Sequence, residues 1–181
     1  MIQDAATPTD EVDAIVAAWR AQLPDLKGEG MQVFSRLHRL ASHVEEQRRL
    51  AFAEHGLAAW QFDVLAALRR AGDPFELTPG ALVAQTHVSS GTMTHRIDRL
   101  VERELVLRRG SEGDRRIVLV RLTPAGRVAA DAAVRSLVAR ERTVLAALGA
   151  DGSADLARLL RRLLAQYPDP RATKESSRER P

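Results

Sequence analysis

Residues 82–126 restrict the fold more than any other part of the chain, because helical and strand periodicities follow one another there in a fixed order. Ser89 is a natural N-cap: its hydroxyl can accept from an unpaired backbone N–H of the following turn. Beyond it, Met93, Ile97, Leu100 and Val101 recur at i, i+4, i+7 and i+8 and make one apolar face. The opposite face carries Gly91, Thr94, His95, Asp98 and Glu102, flanked by Thr92 and Arg99. Most of these are short, hydrogen-bonding or cationic groups, suited to base edges and phosphates in a major groove. Two strands follow, at 106–109 and 117–122, joined by a charged turn containing Gly110 and Gly113. A hairpin tipped with Arg115 and Arg116 suits a DNA backbone or a narrow minor groove, where negative potential favours Arg.

Composition supports this reading by distribution rather than by sum. The net charge of +3 is modest, but Arg96, Arg99, Arg103, Arg108, Arg109, Arg115, Arg116 and Arg121 crowd one segment. Acids are interleaved with them, so part of this run forms a salt-bridged, solvated surface. A chain of 181 residues, with aromatics at 4%, suits one mainly helical core with a helical extension. There is no cysteine, which excludes disulfides, Cys-metal sites and thiol sensing. His38, His43, His55, His87 and His95 contain no pair at the i, i+4 spacing of helical metal ligands, so neither a metal nor another cofactor is expected. No phosphate loop or nucleophile motif points to an enzyme. No apolar run approaches the roughly 20 residues needed to span a membrane, and the polar, acidic N-terminus is not a signal peptide, so a cytoplasmic protein is expected.

In chain order, residues 1–9 read as disordered. Asp10 caps a helix to residue 23, with Val12, Ile15, Val16 and Trp19 at helical spacing. A long helix over 31–54 carries Phe34, Leu37, Leu40, Ala41 and Val44 as its expected buried stripe. The next helix, 57–70, places Leu57, Trp60, Val64 and Leu68 on one side. Residues 75–77 suit a short strand beside the hairpin, and Thr78-Pro79 caps the helix leading into the helix-turn-helix. Thr123-Pro124 starts a helix to 148, with Val128, Ala132, Leu137 or Val138, Leu145 and Leu148 as its apolar set. A turn at 149–153, a last helix at 154–166 and a disordered tail at 167–181 complete the expectation. The first and last helices hold more apolar surface than a small winged domain can cover, which marks a partner surface.

The segment HVSSGTMTHRIDRLVERELVLR, followed by GDRRIVLVRLTPAG, resembles the winged helix-turn-helix of the MarR family of bacterial transcription regulators. The family's wing motif Asp-x-Arg falls on Asp114, Arg115 and Arg116, and its Leu-Thr-x-x-Gly exit on Leu122, Thr123 and Gly126. The resemblance covers roughly residues 10–148. Family members usually have Gly after the recognition helix, where this chain has Glu104. A left-handed Glu there costs about 1 kcal/mol against Gly, so a slightly rearranged turn is expected.

The resemblance implies a mainly α (α+β) fold, a winged helix-turn-helix with N- and C-terminal dimerisation helices. The division expected is 10–56 for the dimerisation and ligand lobe, 57–123 for DNA binding and 124–166 for C-terminal dimerisation. A homodimer with two recognition helices about one DNA turn apart would take a pseudo-palindromic site on double-stranded DNA. Ser90, Thr92, Thr94, His95 and Arg99 are the expected contacts from the helix, with Arg116 in the minor groove, Asp114 fixing it and Arg115 at phosphate.

A narrower resemblance is to the urate-responsive branch of the family, whose Trp, Asp and two Arg fall on Trp19, Asp63, Arg96 and Arg108. In that branch a small anionic or purine-like effector binds between the dimer helices and the DNA-binding lobe, and DNA affinity falls. At about 100° per residue Arg96 lies at the edge of the buried face beside Met93 and Leu100, and a buried charge there needs a partner. Asp63 is the candidate. Trp19 offers a flat wall, and Arg96 with Arg108 suits bidentate capture of an anion. The same residues also fit a purely structural Arg96–Asp63 pair with Trp19 as core. The expectation is therefore a ligand-released repressor. A winged-helix protein-interaction module and a regulator responding to a carboxylate or phenolic ligand are the alternatives.

Overall fold

The computed structural model describes residues 9–110 and 117–167. The elements run α1 (Glu11–Gln22), α2 (Glu29–Ala53), α3 (Ala59–Arg70), β1 (Glu76–Leu77), α4 (Pro79–Thr86), α5 (Ser90–Glu102), β2 (Val106–Gly110), β3 (Val118–Leu122), α6 (Pro124–Leu145), a 3-10 turn (Ala146–Leu148) and α7 (Gly149–Leu164). The fold is mainly α, with one small antiparallel sheet in the order β1-β3-β2. Of the expected disordered ends, 1–9 and 167–181, all but Thr9 and Tyr167 lie outside the described residues. No described helix is long and apolar enough to cross a membrane.

Local chemistry sets the helix starts. The Asp10 carboxylate accepts from Val12 N at 2.8 Å and Asp13 N at 3.2 Å, while Asp13 accepts from Asp10 N at 2.9 Å, a reciprocal capping box. Thr78 Oγ1 accepts from Ala81 N at 3.1 Å with Pro79 beside it, and Ser89 Oγ accepts from Thr92 N at 3.2 Å. The hairpin pairs Val106 with Leu122 and Gly110 with Val118, and the short β1 pairs Glu76 with Arg121.

Two compact units divide after Leu137. In the first, Phe52, Leu65, Leu68, Leu82, Met93, Ile97 and Leu100 form the centre of the core, each fully buried. Phe52 stacks on Phe62 with ring centroids 4.0 Å apart. Val12 and Val16 are also buried, and α1 is tied to α2 by Arg36, which reaches Asp10 at 2.8 Å and Asp13 at 2.9 Å. In the second unit, α7 has no buried residue and exposes Leu159, Leu163 and Leu164.

Three expectations are corrected. The stripe on α2 is not a core face in the single chain: Phe34 is 62% exposed and Leu40 41%, and only Ala51 and Phe52 at its end are buried. Periodicity reports that a helix has an apolar face, not what covers it. On α6, Ala130, Ala133 and Leu137 are buried, whereas Val128, Val138 and Leu145 are exposed. The turn expected at 149–153 is helical, because α7 already starts at Gly149.

The turn after α5 is also settled. Glu104 has φ +57°, so the left-handed position usually given to Gly is kept and the turn is not rearranged. Compensation lies in its backbone, whose carbonyl accepts from Thr123 Oγ1 at 2.7 Å. Thr123 N donates to Leu105 O at 3.1 Å, and Thr123 Oγ1 accepts from Gly126 N at 2.9 Å. The Leu-Thr-x-x-Gly exit therefore knots the end of α5 to the start of α6.

Candidate nucleic-acid interface and effector lobe

The face of α5 opposite the core is assembled by burial. Met93, Ile97 and Leu100 are anchored, which leaves Ser90, Thr92, Thr94, His95 and Arg99 all exposed. The expected contacts thus share one accessible surface. Thr94 Oγ1 donates to Ser90 O at 3.1 Å, so its lone pairs and methyl group remain to meet a base. Ser89 caps α5 through Thr92 N, and its hydroxyl also lies 2.9 Å from that of Thr92, which orients Thr92. Arg99 pairs with Glu102 at 3.0 Å on the surface. Such exposed pairs are worth about 0–1 kcal/mol, so a phosphate can displace Glu102.

Asp114, Arg115 and Arg116, the expected wing tip, lie outside the described residues. The base of the wing is described. Arg121 pairs with Glu76 at 2.8 Å, and Arg109 approaches the same carboxylate at 3.8 Å. One carboxylate on β1 therefore steadies cations from both wing strands.

The expected effector residues meet differently from the sequence expectation. Asp63 on α3 pairs with Arg48 Nη2 at 3.4 Å, and the expected Arg96–Asp63 ion pair is not formed. Arg96 instead lies over the Trp60 ring, 5.6 Å from its centroid. Arg96 and Asp63 are still electrostatic neighbours. Burial raises the Asp63 carboxyl above its ordinary pKa, the positive charges of Arg48 and Arg96 oppose that rise, and Glu45 adds to it. Arg108 holds Asp98 of α5 at 2.5 Å. Trp19 stands on α1, 48% exposed rather than in the core, and the aromatic stacked on Arg96 is Trp60.

Arg48 and Trp60 are therefore the residues that sequence reasoning missed. Nothing in the spacing along α2 marks Arg48 as a partner for Asp63, and by spacing Trp60 is one of the apolar residues on one side of the 57–70 helix. Only the packing of α2 and α3 turns Arg48 toward Asp63, with its guanidinium 5.4 Å from the Phe52 ring centroid. A cleft of about 710 Å³ on α2 is lined by His38, Ser42, Glu45, Glu46 and Arg49 among others, but by none of Trp19, Asp63, Arg96 and Arg108.

Comparison with known proteins agrees with this geometry. Residues 55–117 match the MarR family. The chain is 35% identical over 153 residues to the HTH-type transcriptional regulator PecS of Dickeya dadantii, covering 84% of this chain and 92% of that one. Among solved structures, a cysteine-to-serine variant of MarR from E. coli complexed with operator DNA is similar at 29% identity and TM-score 0.61, covering 77% of this chain and 99% of that one. BpsR of Bordetella bronchiseptica, whose DNA binding is regulated by 6-hydroxynicotinic acid, is similar at 27% identity and TM-score 0.55, covering 71% and 98%.

Proposed function

The chain belongs to the MarR family of transcription regulators, and from that premise we propose that it is a homodimeric repressor of a pseudo-palindromic promoter site, released by a small anionic effector of the urate or purine type. It is a DNA-binding regulator, not an enzyme. One observation carries the DNA contacts: α5 buries Met93, Ile97 and Leu100 and leaves Ser90, Thr92, Thr94, His95 and Arg99 together on open surface. The similar MarR structure with operator DNA supports the same assignment. Arg116 enters the minor groove, with Asp114 holding it and Arg115 at phosphate.

Residues 57–123 read DNA, while 10–56 and 124–166 supply dimerisation. The exposed apolar residues Phe34 and Leu40 on α2, and Leu159 and Leu164 on α7, support a role for each of these segments in pairing two copies. The partners are thus double-stranded DNA, a second copy and the effector, in the cytoplasm.

The effector's residues are Trp19, Asp63, Arg96 and Arg108. Both arginines bear on the reading helix: Arg96 is part of α5, and Arg108 holds Asp98 of α5. An anion that draws them away from Trp60 and Asp98 changes the setting of α5. Effector and operator then oppose each other by linkage. That the DNA binding of BpsR is regulated by 6-hydroxynicotinic acid supports a small effector that carries an acid group.

The test is a gel shift at fixed moderate salt on DNA upstream of the protein's own gene, with urate, xanthine, citrate and salicylate added separately. Release by urate or xanthine supports the purine class, and release by citrate or salicylate alone replaces it with a carboxylate or phenol. A specific shift that none releases removes the effector from the reading. No shift from a folded dimer favours a protein-interaction module.

A further inference from the structure

We propose that Arg103 is a positioning residue for DNA recognition: it fixes the C-terminal end of α5 to the corner between α2 and α3 and touches no DNA itself. This rests on the reading of α5 as the helix that meets DNA. Arg103 is the C-cap of α5, inside the basic run that composition alone would assign to phosphates. Its Nη1 instead donates to Gly56 O at 3.0 Å and to Gln61 Oε1 at 2.9 Å.

Both acceptors are held rigidly. Gln61 is 7% exposed, and its Oε1 also accepts from Ala58 N at 2.9 Å, which locks it to the first turn of α3. Gly56 has φ +64° and its N–H donates to Ala53 O at 3.0 Å, closing the end of α2. The same corner is tied to α6, where His55 Nε2 and Ser136 Oγ lie 2.8 Å apart. Arg103 thus connects the reading helix to a corner formed by α2 and α3 and braced by α6.

The physical need is rotational. The apolar contacts of Met93, Ile97 and Leu100 fix how deep α5 sits, but they are non-directional and resist rolling of the helix weakly. Hydrogen bonds are directional, and these two sit at the end of α5. Their acceptors are neutral, so salt does not screen the tie as it would an ion pair. Any shift of the α2–α3 corner is transmitted to the angle at which the exposed face meets the groove.

Two variants test this. Arg103→Met keeps the stem and removes the donors. Gln61→Met removes an acceptor from a residue too buried to touch DNA. Each is measured for affinity to operator and to random duplex across a salt series, with thermal unfolding as a check on folding. Both variants are expected to lose about tenfold in operator affinity, the worth of one charge-assisted hydrogen bond. Random-duplex affinity and the salt slope should hold, and the double variant should be no weaker than Arg103→Met alone.

A salt slope smaller by about one, with both DNAs weakened equally and Gln61→Met silent, makes Arg103 a phosphate contact and overturns the proposal. Amide exchange without DNA separates the tie from the function. Faster exchange near Gly56 and at the end of α5 is expected in both variants, and unchanged exchange overturns the tie whatever the DNA result. A wild-type chain that shows no operator preference counts against the DNA reading instead. If Arg103→Met does not fold, Arg103→Lys replaces it, with the same pattern expected at smaller size.

Discussion

The carbonyl oxygen of Leu105 lies 1.9 Å from the point where a Cβ on Gly126 would stand. No real contact is that short, so the backbone just past α5 and the first turn of α6 can pass this closely only with glycine at position 126. Thr123 completes the junction by donating its N–H to the same carbonyl at 3.1 Å. Gly126→Ala is expected to destabilise the chain by about 3 kcal/mol, at the upper end for overpacking because the obstruction is backbone. Urea unfolding checks it, and an unchanged midpoint would mean that the junction opens freely.

Glu104 is the counterpart case, a residue held left-handed at φ +57° without glycine's freedom. Glu104→Gly removes the Cβ conflict but adds freedom to the unfolded chain, so a net gain of up to about 1 kcal/mol is expected. Glu104→Ala should gain nothing, since alanine keeps the Cβ. A loss of stability in the glycine variant refutes this account of the turn.

Asp63 gives a pH dependence with a definite sign. Its folded pKa is raised, chiefly by burial, so the folded chain holds this proton at pH values where the unfolded chain has released it. The Asp63 contribution is therefore most favourable below the ordinary carboxylate range and falls as pH rises through the raised value. Asp63→Asn should flatten that part of the stability–pH curve relative to wild type. Parallel curves for the two proteins would show that Arg48 and Arg96 offset the burial completely.

Arg96→Ala is expected to lose effector binding by tenfold or more, on the order of one charge-assisted contact. It should also weaken operator binding in the absence of effector, because loss of the contact with Trp60 is the change the effector is proposed to make. Isothermal titration with the effector found in the gel shift measures this, and an unaltered Kd removes Arg96 from the site.

Arg116→Ala should weaken binding to every duplex and reduce the slope of log affinity against log salt by about one. Filter binding over a salt series is sufficient. Unchanged affinity would take the wing out of DNA binding.

Local rules were legible in the sequence wherever the partner lies within a few residues. The caps at Asp10, Thr78 and Ser89 satisfy N–H groups two or three positions away, and the buried face of α5 follows from its own spacing. The exit motif at Leu122, Thr123 and Gly126 was visible as a pattern. Its reason, a 1.9 Å approach to Leu105, was not.

What the sequence determined by itself is therefore the order of elements, the mainly helical winged fold and the polar surface offered by α5, because periodicity and capping are short-range properties of the chain. Tertiary structure alone decided the partners of the long charged side chains: Asp63 with Arg48, Arg96 with Trp60, Arg108 with Asp98, and Arg103 with Gly56 and Gln61. An arginine has several rotatable bonds and reaches many acceptors, so its choice depends on which helices pack beside it, and spacing along the chain carries no record of that.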